Sequence, residues 1–319
     1  MHIATIFSGI GVAEMAHRKV FGYSGTIFAC EIDKFARRSY EANALNHQNV
    51  PFYEDVRTLD ATRYRGQVDV LVGGSPCQDF SIAGERAGTR GDRGNLIWQY
   101  YRIVKECRPE VFVFENVKGF LSIEKGRAYV SFLNALRSLG YHCHAEVLNA
   151  KDYGIPQNRE RLYIVGFLDA DRYFSFRFAP KQPLKLRLGD MLETSVDEKY
   201  FLSERAIKCF KRKDNNFQGS FSPKNPSDTA NCLTTAAGNR RTDTFIIQRP
   251  RDFNKGGERI RKLTPRECLR LQGIGDDFKI VVSDTQIYKQ AGNAMSQNVV
   301  EMILGQIVGS LMKNFRLGA

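Results

Sequence analysis

The chain has 319 residues and a net charge of +12, with 47 lysines and arginines against 35 aspartates and glutamates. Its seven cysteines form no Cys-x-x-Cys pair, which argues against a zinc site or a disulfide framework and favours a reducing compartment. No apolar run approaches the length of a membrane span, and glycines interrupt the first apolar residues too early for a secretory signal, so we expect a cytoplasmic protein.

Short apolar runs alternate with amphipathic stretches through the first half of the chain. This alternation is typical of βαβ units and predicts an α/β fold with a doubly wound, mostly parallel, Rossmann-like sheet. The predicted strands cover residues 3–7, 26–30, 68–72, 111–114, 144–148 and 162–167. The helical patterns between them cover residues 12–19, 34–46, 96–107 and 129–139.

The region from about residue 169 to residue 263 has a different composition. Segments rich in proline, lysine, asparagine and serine replace the alternation, with short β-like runs such as 244–247. Between Lys181 and Lys262 there are 18 lysines and arginines against 10 aspartates and glutamates. We therefore predict a smaller, irregular, β-rich domain over 181–265, whose charge suits a polyanionic partner, although a basic face can also serve solubility alone.

The two ends of the chain are predicted to share one domain. Apolar residues at helical spacing between 296 and 313 predict a helix that packs back on the sheet. The large domain is then discontinuous, formed by 1–180 plus 283–319, and residues 266–282 form a hinge region.

A glycine-rich turn, Phe7-Ser8-Gly9-Ile10-Gly11, follows the first predicted strand. Such glycines let the backbone approach a ligand, and Glu31 at the end of the second strand is placed to hold ribose hydroxyls. Glu14 replaces the third glycine of the dinucleotide fingerprint, which argues against NAD and leaves an adenosyl ligand without a pyrophosphate. An ordinary tight turn remains the alternative. Asp55 could accept from an adenine amino group, but an isolated aspartate is more often a cap or turn residue.

The tripeptide Pro76-Cys77-Gln78 follows the apolar run 68–74, and Glu115 lies at the end of another apolar run. A strand-to-loop turn places a side chain at the carboxyl edge of the sheet, where open α/β proteins bind their ligands. The pair predicts a thiolate nucleophile with a carboxylic-acid partner. The alternative is that Cys77 is a small buried apolar residue, as most free cysteines are.

Six motifs follow one another along nearly the whole chain: Phe7-x-Gly9-x-Gly11, Gly73-Gly74-Ser75-Pro76-Cys77-Gln78, Glu115-Asn116-Val117, Gln157-x-Arg159-x-Arg161, Arg261-Lys262-Leu263-Thr264-Pro265-Arg266-Glu267-Cys268 and Gly292-Asn293-Ala294. In number and order they resemble the DNA (cytosine-5) methyltransferase family of the bacterial restriction–modification type. Each motif alone has a structural explanation, but the ordered set is specific. The resemblance implies the fold of the S-adenosylmethionine-dependent methyltransferases.

The resemblance also implies methyl transfer to C5 of cytosine through covalent addition at C6. Cys77 as a thiolate would attack C6, while Glu115 would hold N3 and N4 and favour protonation at N3. Arg161 would hold the cytosine O2, and Arg159 would support the surroundings of the nucleophile. Without the motif, a solvated arginine pair at a strand end is the simpler interpretation. Because C6 lies inside the base stack, the target base must flip out of the duplex.

S-adenosylmethionine is the implied cofactor, with S-adenosylhomocysteine as the product. Phe7 would stack on adenine, Gly9 and Gly11 would lie near the methionine moiety, and Asn293 would close the pocket. The implied cofactor contacts are Phe7, Gly9, Gly11, Glu31, Ile32, Asp55, Val56, Pro76, Leu96, Asn293 and Ala294.

Duplex DNA is the implied partner of a monomeric bacterial or phage enzyme, with a cognate restriction endonuclease acting separately. The loop 78–93 resembles the family's mobile catalytic loop, and the turn 238–241 suits major-groove reading. The implied DNA contacts are Gln78, Ser81, Arg93, Gln157, Arg240 and Arg241. Cys232-Leu233 replaces the usual Thr-Leu pair, which leaves the recognised sequence open. A tRNA cytosine-5 methyltransferase and a catalytically inactive DNA-binding relative remain as alternatives.

Overall fold

The computed structural model describes residues 1–43, 50–76, 96–212, 220–248 and 258–316, with side chains as far as Ser310. By compactness the chain forms two units. The first comprises Met1–Leu148, Glu160–Pro180 and Val299–Ala319, and the second comprises Asn149–Arg159 and Lys181–Asn298. The second unit thus extends beyond the predicted 181–265 to include 149–159 and 266–298. The functional roles assigned to the two parts stay predictions.

A seven-stranded sheet forms the centre of the first unit. Its strands are β1 (Ile3–Ile6), β2 (Thr26–Cys30), β3 (Phe52–Tyr53), β4 (Val70–Gly73), β5 (Val111–Val117), β6 (His142–Asn149) and β7 (Glu160–Phe167). They lie in the order β3-β2-β1-β4-β5-β7-β6. The pairs among β1 to β5 are parallel, whereas β7 runs antiparallel to β5. The predicted α/β fold with a mostly parallel sheet is confirmed. Strand β3 was not predicted, because a strand of two residues gives no periodic sequence pattern.

Helices connect several of the strands, and further helices belong to the second unit. The α-helices of the described residues are α1 (Val12–Phe21), α2 (Lys34–Asn43), α3 (Leu96–Cys107), α4 (Arg127–Ser138), α5 (Ala170–Ser175), α6 (Glu204–Lys211), α7 (Pro265–Arg270), α8 (Asp284–Asn293) and α9 (Gln297–Arg316). In this part of the chain no helix is long and apolar enough to cross a membrane.

Aromatic side chains form much of the core on one face of the sheet. Phe112 and Phe114 of β5 pack against Tyr100 of α3, and Phe114 also packs against Phe132 of α4, all four fully buried. Burial of one such side chain contributes about 1.5–3 kcal/mol. Gly166 of β7 is paired with Phe112, and a Cβ there would lie 2.1 Å from the Phe112 ring. The core therefore requires glycine at this position.

The second unit contains a small antiparallel pair, β8 (Phe245–Gln248) and β9 (Arg259–Lys262). Phe245 of β8 packs against Phe210 of α6 and against Phe221. Helix α7 begins at a capping box in which Thr264 and Glu267 satisfy each other's backbone amides. The predicted β-like run at 244–247 corresponds to β8.

Candidate active site

The carboxyl ends of β1, β2, β4 and β5 lie along one edge of the sheet, because these strands are parallel neighbours. The register pairs the last residue of β1 with the last residues of β2 and β4. The glycine turn follows β1, Glu31 follows β2, Pro76 follows β4, and Glu115 lies near the end of β5. This edge therefore gathers most of the predicted site residues of the first unit.

The turn after β1 contains backbone conformations with positive φ, which residues other than glycine adopt less readily. Gly9 and Gly11 have φ angles of +58° and +87°, and Phe7 has a φ of +55°. For a non-glycine residue this conformation costs of order 1–3 kcal/mol, and it persists where surrounding contacts fix it. A Cβ on Gly9 would meet nothing within 4 Å, so the turn is open to an approaching ligand at this residue.

Glu31 is oriented by backbone amides on both sides. Its two carboxylate oxygens accept hydrogen bonds of 2.8 Å from the amides of Gly9 and Asp33. Burial raises the pKa of Glu31, and the two amide bonds oppose that rise. Each oxygen keeps a further lone pair for a hydroxyl donor, and the next residue, Ile32, exposes 63% of its surface. A fixed carboxylate beside an exposed apolar side chain fits the ribose and base of an adenosyl group.

Asp55 has a partner within the chain. Both of its carboxylate oxygens lie 2.9 Å from Nε of Arg57, and this contact lowers the pKa of Asp55. An adenine amino group would have to share this carboxylate with Arg57. Of the other predicted cofactor contacts, Val56 is buried, Leu96 is half-buried and Pro76 is exposed.

A buried carboxyl group lies beneath the glycine turn. Oε1 of Glu14 accepts hydrogen bonds from the hydroxyls of Thr5 (2.5 Å) and Tyr40 (2.9 Å), and Thr5 also bonds to the hydroxyl of Ser8 within the turn (2.7 Å). Oε2 of Glu14 is buried, and among the described residues it has no hydrogen-bond partner. Burial raises the pKa of Glu14 from 4.5, and the hydroxyl donors oppose that rise.

Glu14→Gln is expected to stabilise the protein relative to wild type as the pH rises above 4.5. The folded chain holds the Glu14 proton more tightly than the unfolded chain, so deprotonation costs wild-type stability at higher pH, whereas glutamine resembles the protonated acid. Urea unfolding at pH 5 and pH 8 measures the difference in free energy of unfolding. Glu41→Gln, at an exposed position of α2, is the control; a wild type that gains stability over the Glu14→Gln variant with rising pH would contradict the argument.

Glu115 and Arg161 form an ion pair on the neighbouring strands β5 and β7. Nε of Arg161 lies 3.2 Å from Oε1 of Glu115, and the two side chains are 15% and 11% exposed. The amide group of Asn116 donates to the carbonyl oxygen of Ser75 and also contacts its hydroxyl, each at 3.2 Å. The segment leading to Cys77 is thus anchored next to the ion pair, while Cys77 itself lies outside the described residues.

Arg159 belongs to the second unit and is buried there. Its guanidinium donates to the carbonyl oxygens of Gly292 (3.1 Å) and Ala294 (2.7 Å), and also to that of Leu233 (3.3 Å). The first two carbonyls flank Asn293, whose side chain is exposed. Arg159 therefore fixes the backbone around a predicted cofactor contact, a role that the motif alone did not indicate.

Gln157 is buried in the second unit. Its side chain has no exposed surface, donating to the carbonyl oxygen of Leu271 (2.5 Å) and accepting from the amide of Leu233 (2.9 Å). In this conformation the side chain is not accessible to DNA, and the DNA contact of Gln157 stays a prediction. Gln157 holds two backbone segments of the second unit together.

The other predicted DNA contacts divide into two groups. Arg240 is exposed and Arg241 half-buried on the turn before β8. Gln78, Ser81 and Arg93 lie outside the described residues, as does Cys77. Sequence reasoning missed the buried Asp243 beside this turn, because no spacing distinguishes it from a surface aspartate.

The strand order, with its antiparallel β7, and the glycine turn beside Glu31 define an α/β methyltransferase fold. Over residues 1–309 the chain matches the C-5 cytosine-specific DNA methylase family, and it belongs to that family. It is therefore a DNA (cytosine-5) methyltransferase, of a family that uses S-adenosylmethionine and flips its target base. The resemblance stated from the motifs is confirmed.

Curated relatives agree with this membership, and a solved structure shares the fold. The chain is 35% identical to the Type II methyltransferase M.NlaX of Neisseria lactamica, over 97% of this chain and 96% of the relative. It is 36% identical to the Type II methyltransferase M.HpaII of Haemophilus parainfluenzae, over 93% and 86%. A crystal structure of a DNMT2 mutant of Spodoptera frugiperda superposes with a TM-score of 0.77 at 20% identity, over 97% of this chain and all of that one. At that identity the likeness shows the fold alone.

Proposed function

We propose that Cys77 is the nucleophile, that Glu115 and Arg161 hold the flipped cytosine, and that S-adenosylmethionine binds along the glycine turn. The Glu115–Arg161 ion pair at the edge of the sheet carries this proposal. It places an acid and a fixed hydrogen-bond donor side by side, as recognition of the N3 and O2 edge of cytosine requires. The contact between Asn116 and Ser75 supports it, because it ties the segment before Cys77 to the same edge.

The proposed reaction makes C5 of cytosine nucleophilic. The Cys77 thiolate bonds to C6, the electron pair of the C5–C6 double bond moves to C4–C5, and the pair of the N3–C4 double bond moves to N3, which takes a proton from Glu115. When bound, S-adenosylmethionine supplies the methyl group that C5 takes up. Loss of the C5 proton to water then restores the C5–C6 double bond as the thiolate leaves, and N3 returns its proton to Glu115.

The chain's own residues are suited to hold the cofactor. Glu31, fixed by the amides of Gly9 and Asp33, would accept from the ribose hydroxyls, and Ile32 would cover the adenine. The open side of Gly9 leaves room for the methionine moiety. In the second unit, the hydrogen bonds of Arg159 hold the backbone on both sides of Asn293, whose cofactor contact stays a prediction.

Covalent trapping on DNA that contains 5-fluorocytosine tests the proposal. Bisulfite sequencing of DNA from cells expressing the chain first identifies the methylated site, and a duplex with fluorocytosine at that site is then incubated with enzyme and S-adenosylmethionine. Fluorine cannot leave as a proton does, so a stable adduct is expected, with peptide mapping to Cys77. Adduct at another residue, or with tRNA but not DNA, would contradict the proposal.

Glu115→Gln is expected to slow adduct formation by about 10²-fold, because the amide cannot donate the proton to N3. Single-turnover trapping measures this rate. Glu160→Gln is the matched control, since Glu160 lies on β7 and its carboxylate bonds to Lys118 on the surface. Equal rates of adduct formation for the wild type and the Glu115 variant would show that Glu115 does not donate the proton to N3.

A further inference from the structure

One buried aspartate in the second unit fixes an arginine-bearing turn. Asp243 is 4% exposed, and its Oδ1 accepts from the hydroxyl of Thr234 at 2.9 Å. Its Oδ2 accepts from the backbone amides of Asn239 (3.1 Å) and Arg240 (2.8 Å). A single carboxylate thus joins the start of the turn 234–243 to its tip.

Two glycines, one within the turn and one in α8, allow close packing of the same turn. Gly238 has a φ of +81°, and a Cβ there would lie 2.7 Å from the Cβ of Lys262 on β9. A Cβ on Gly292 of α8 would lie 2.5 Å from the backbone between Thr234 and Thr235. The turn is therefore packed against two neighbouring elements by its backbone, at distances that admit no side chain.

The tip of the turn carries the groups that can read a base. Asn239 and Arg240 are both exposed, and the two amides that Asp243 holds belong to these same residues. An arginine that donates two hydrogen bonds to one guanine discriminates between bases, whereas an arginine on phosphate carries no sequence information. The first contact needs a guanidinium placed within about 0.5 Å, and the second does not.

We propose that Asp243 is a positioning residue for sequence specificity: by fixing the amides of Asn239 and Arg240 it directs Arg240 to a base edge. The inference rests on the proposed DNA methyltransferase function and on the DNA contact predicted for Arg240 from the sequence. Asp243 itself is buried and touches no DNA. Its role is separate from that of Cys77 and Glu115, which lie in the other unit.

A comparison of Asp243→Ala with Asp243→Asn tests whether the hydrogen bonds of Asp243, rather than its charge, determine sequence specificity. Asparagine can keep all three hydrogen bonds, since its Oδ1 can accept from the two amides while its Nδ2 donates to Thr234, whose hydroxyl also accepts. Alanine keeps none of them. Asp228→Ala is the matched control, because Asp228 accepts from the amide of Asn225 in another turn of the same unit.

The experiment methylates a duplex library of random sequence and reads every cytosine by bisulfite sequencing. For Asp243→Ala the ratio of methylation at the cognate site to that at single-mismatch sites is expected to fall about 10-fold or more, whereas Asp243→Asn and Asp228→Ala stay within about 3-fold of wild type. The KM for S-adenosylmethionine should stay within about 2-fold in Asp243→Asn and Asp228→Ala, because the turn 234–243 keeps its hydrogen bonds in both. An unchanged ratio for Asp243→Ala would overturn the proposal.

Arg240→Lys keeps the test informative if the alanine variant does not fold. Lysine retains the charge but cannot form the planar two-donor contact. The ratio of cognate to single-mismatch methylation is therefore expected to fall about 10-fold or more even with Asp243 in place. A wild-type ratio for Arg240→Lys would overturn the proposal. Trapping of the wild type on 5-fluorocytosine is scored separately, so failure of the nucleophile assignment and failure of this inference give different results.

Discussion

Cys77→Ser is expected to lower the rate of methyl transfer by on the order of 10³-fold or more. A thiol is partly ionised near neutral pH and its thiolate is strongly nucleophilic, whereas a serine hydroxyl stays protonated unless an adjacent base activates it. The side chains of cysteine and serine are nearly equal in size, so serine should be accepted at position 77. Transfer of labelled methyl groups from S-adenosylmethionine to the cognate duplex measures the rate.

DNA affinity separates loss of chemistry from loss of structure. The affinity of the serine variant for the cognate duplex should stay within about 3-fold of wild type. The variant loses only the covalent bond to C6, which forms after the DNA has bound. Cys209→Ser serves as the control because Cys209 is an exposed free cysteine of the second unit. Turnover close to wild type in the Cys77 variant would eliminate the covalent mechanism, and weakened DNA binding with unchanged turnover would assign Cys77 to DNA contact instead.

The fold was predictable where the chain repeats a periodic pattern. The buried run Val111–Val117 and the glycine turn before α1 both have strong local signals, and the predicted strands near them match β5 and β1. The antiparallel direction of β7 carries no such signal, because a buried strand has the same apolar pattern in either direction. The unit bounds depend on contacts distant in sequence, such as that between Gln157 and Leu271.

The candidate site was predictable where chemistry restricts the residue type. Glu31 follows the apolar strand β2 and Glu115 lies near the end of the apolar strand β5, where a carboxylate has few structural uses, and both lie at the same edge of the sheet. The backbone contacts of Gln157 were not predictable, because an amide side chain serves backbone contacts and DNA contacts equally well. The hydrogen bonds of Glu14 and Asp243 were not predicted because they depend on burial, and burial of a single acidic residue is set by tertiary packing.

Arg261→Met is expected to lower the free energy of unfolding by about 3–5 kcal/mol, because it leaves a buried carboxylate without its cation. Arg261 of β9 forms two 2.8 Å hydrogen bonds with Glu267 of α7, and the side chains are 1% and 0% exposed. Glu267 also accepts from the amides of Thr264 and Glu193, so the pair joins three segments of the second unit.

A double-mutant cycle decides whether the loss comes from the unpaired charge. Arg261→Met combined with Glu267→Gln should be more stable than Arg261→Met alone, because glutamine carries no charge. The recovery is partial, since the amides of Thr264 and Glu193 bond to different oxygens of Glu267 and glutamine can accept from only one of them. Arg259→Met is the control on the same strand: its ion pair with Glu198 has similar distances but is exposed, so little change is expected. Urea unfolding followed by circular dichroism suits the measurement, because the single tryptophan, Trp98, lies in the other unit. Equal losses in the single and double variants would assign the stabilisation to packing of the arginine stem rather than to the charge pair.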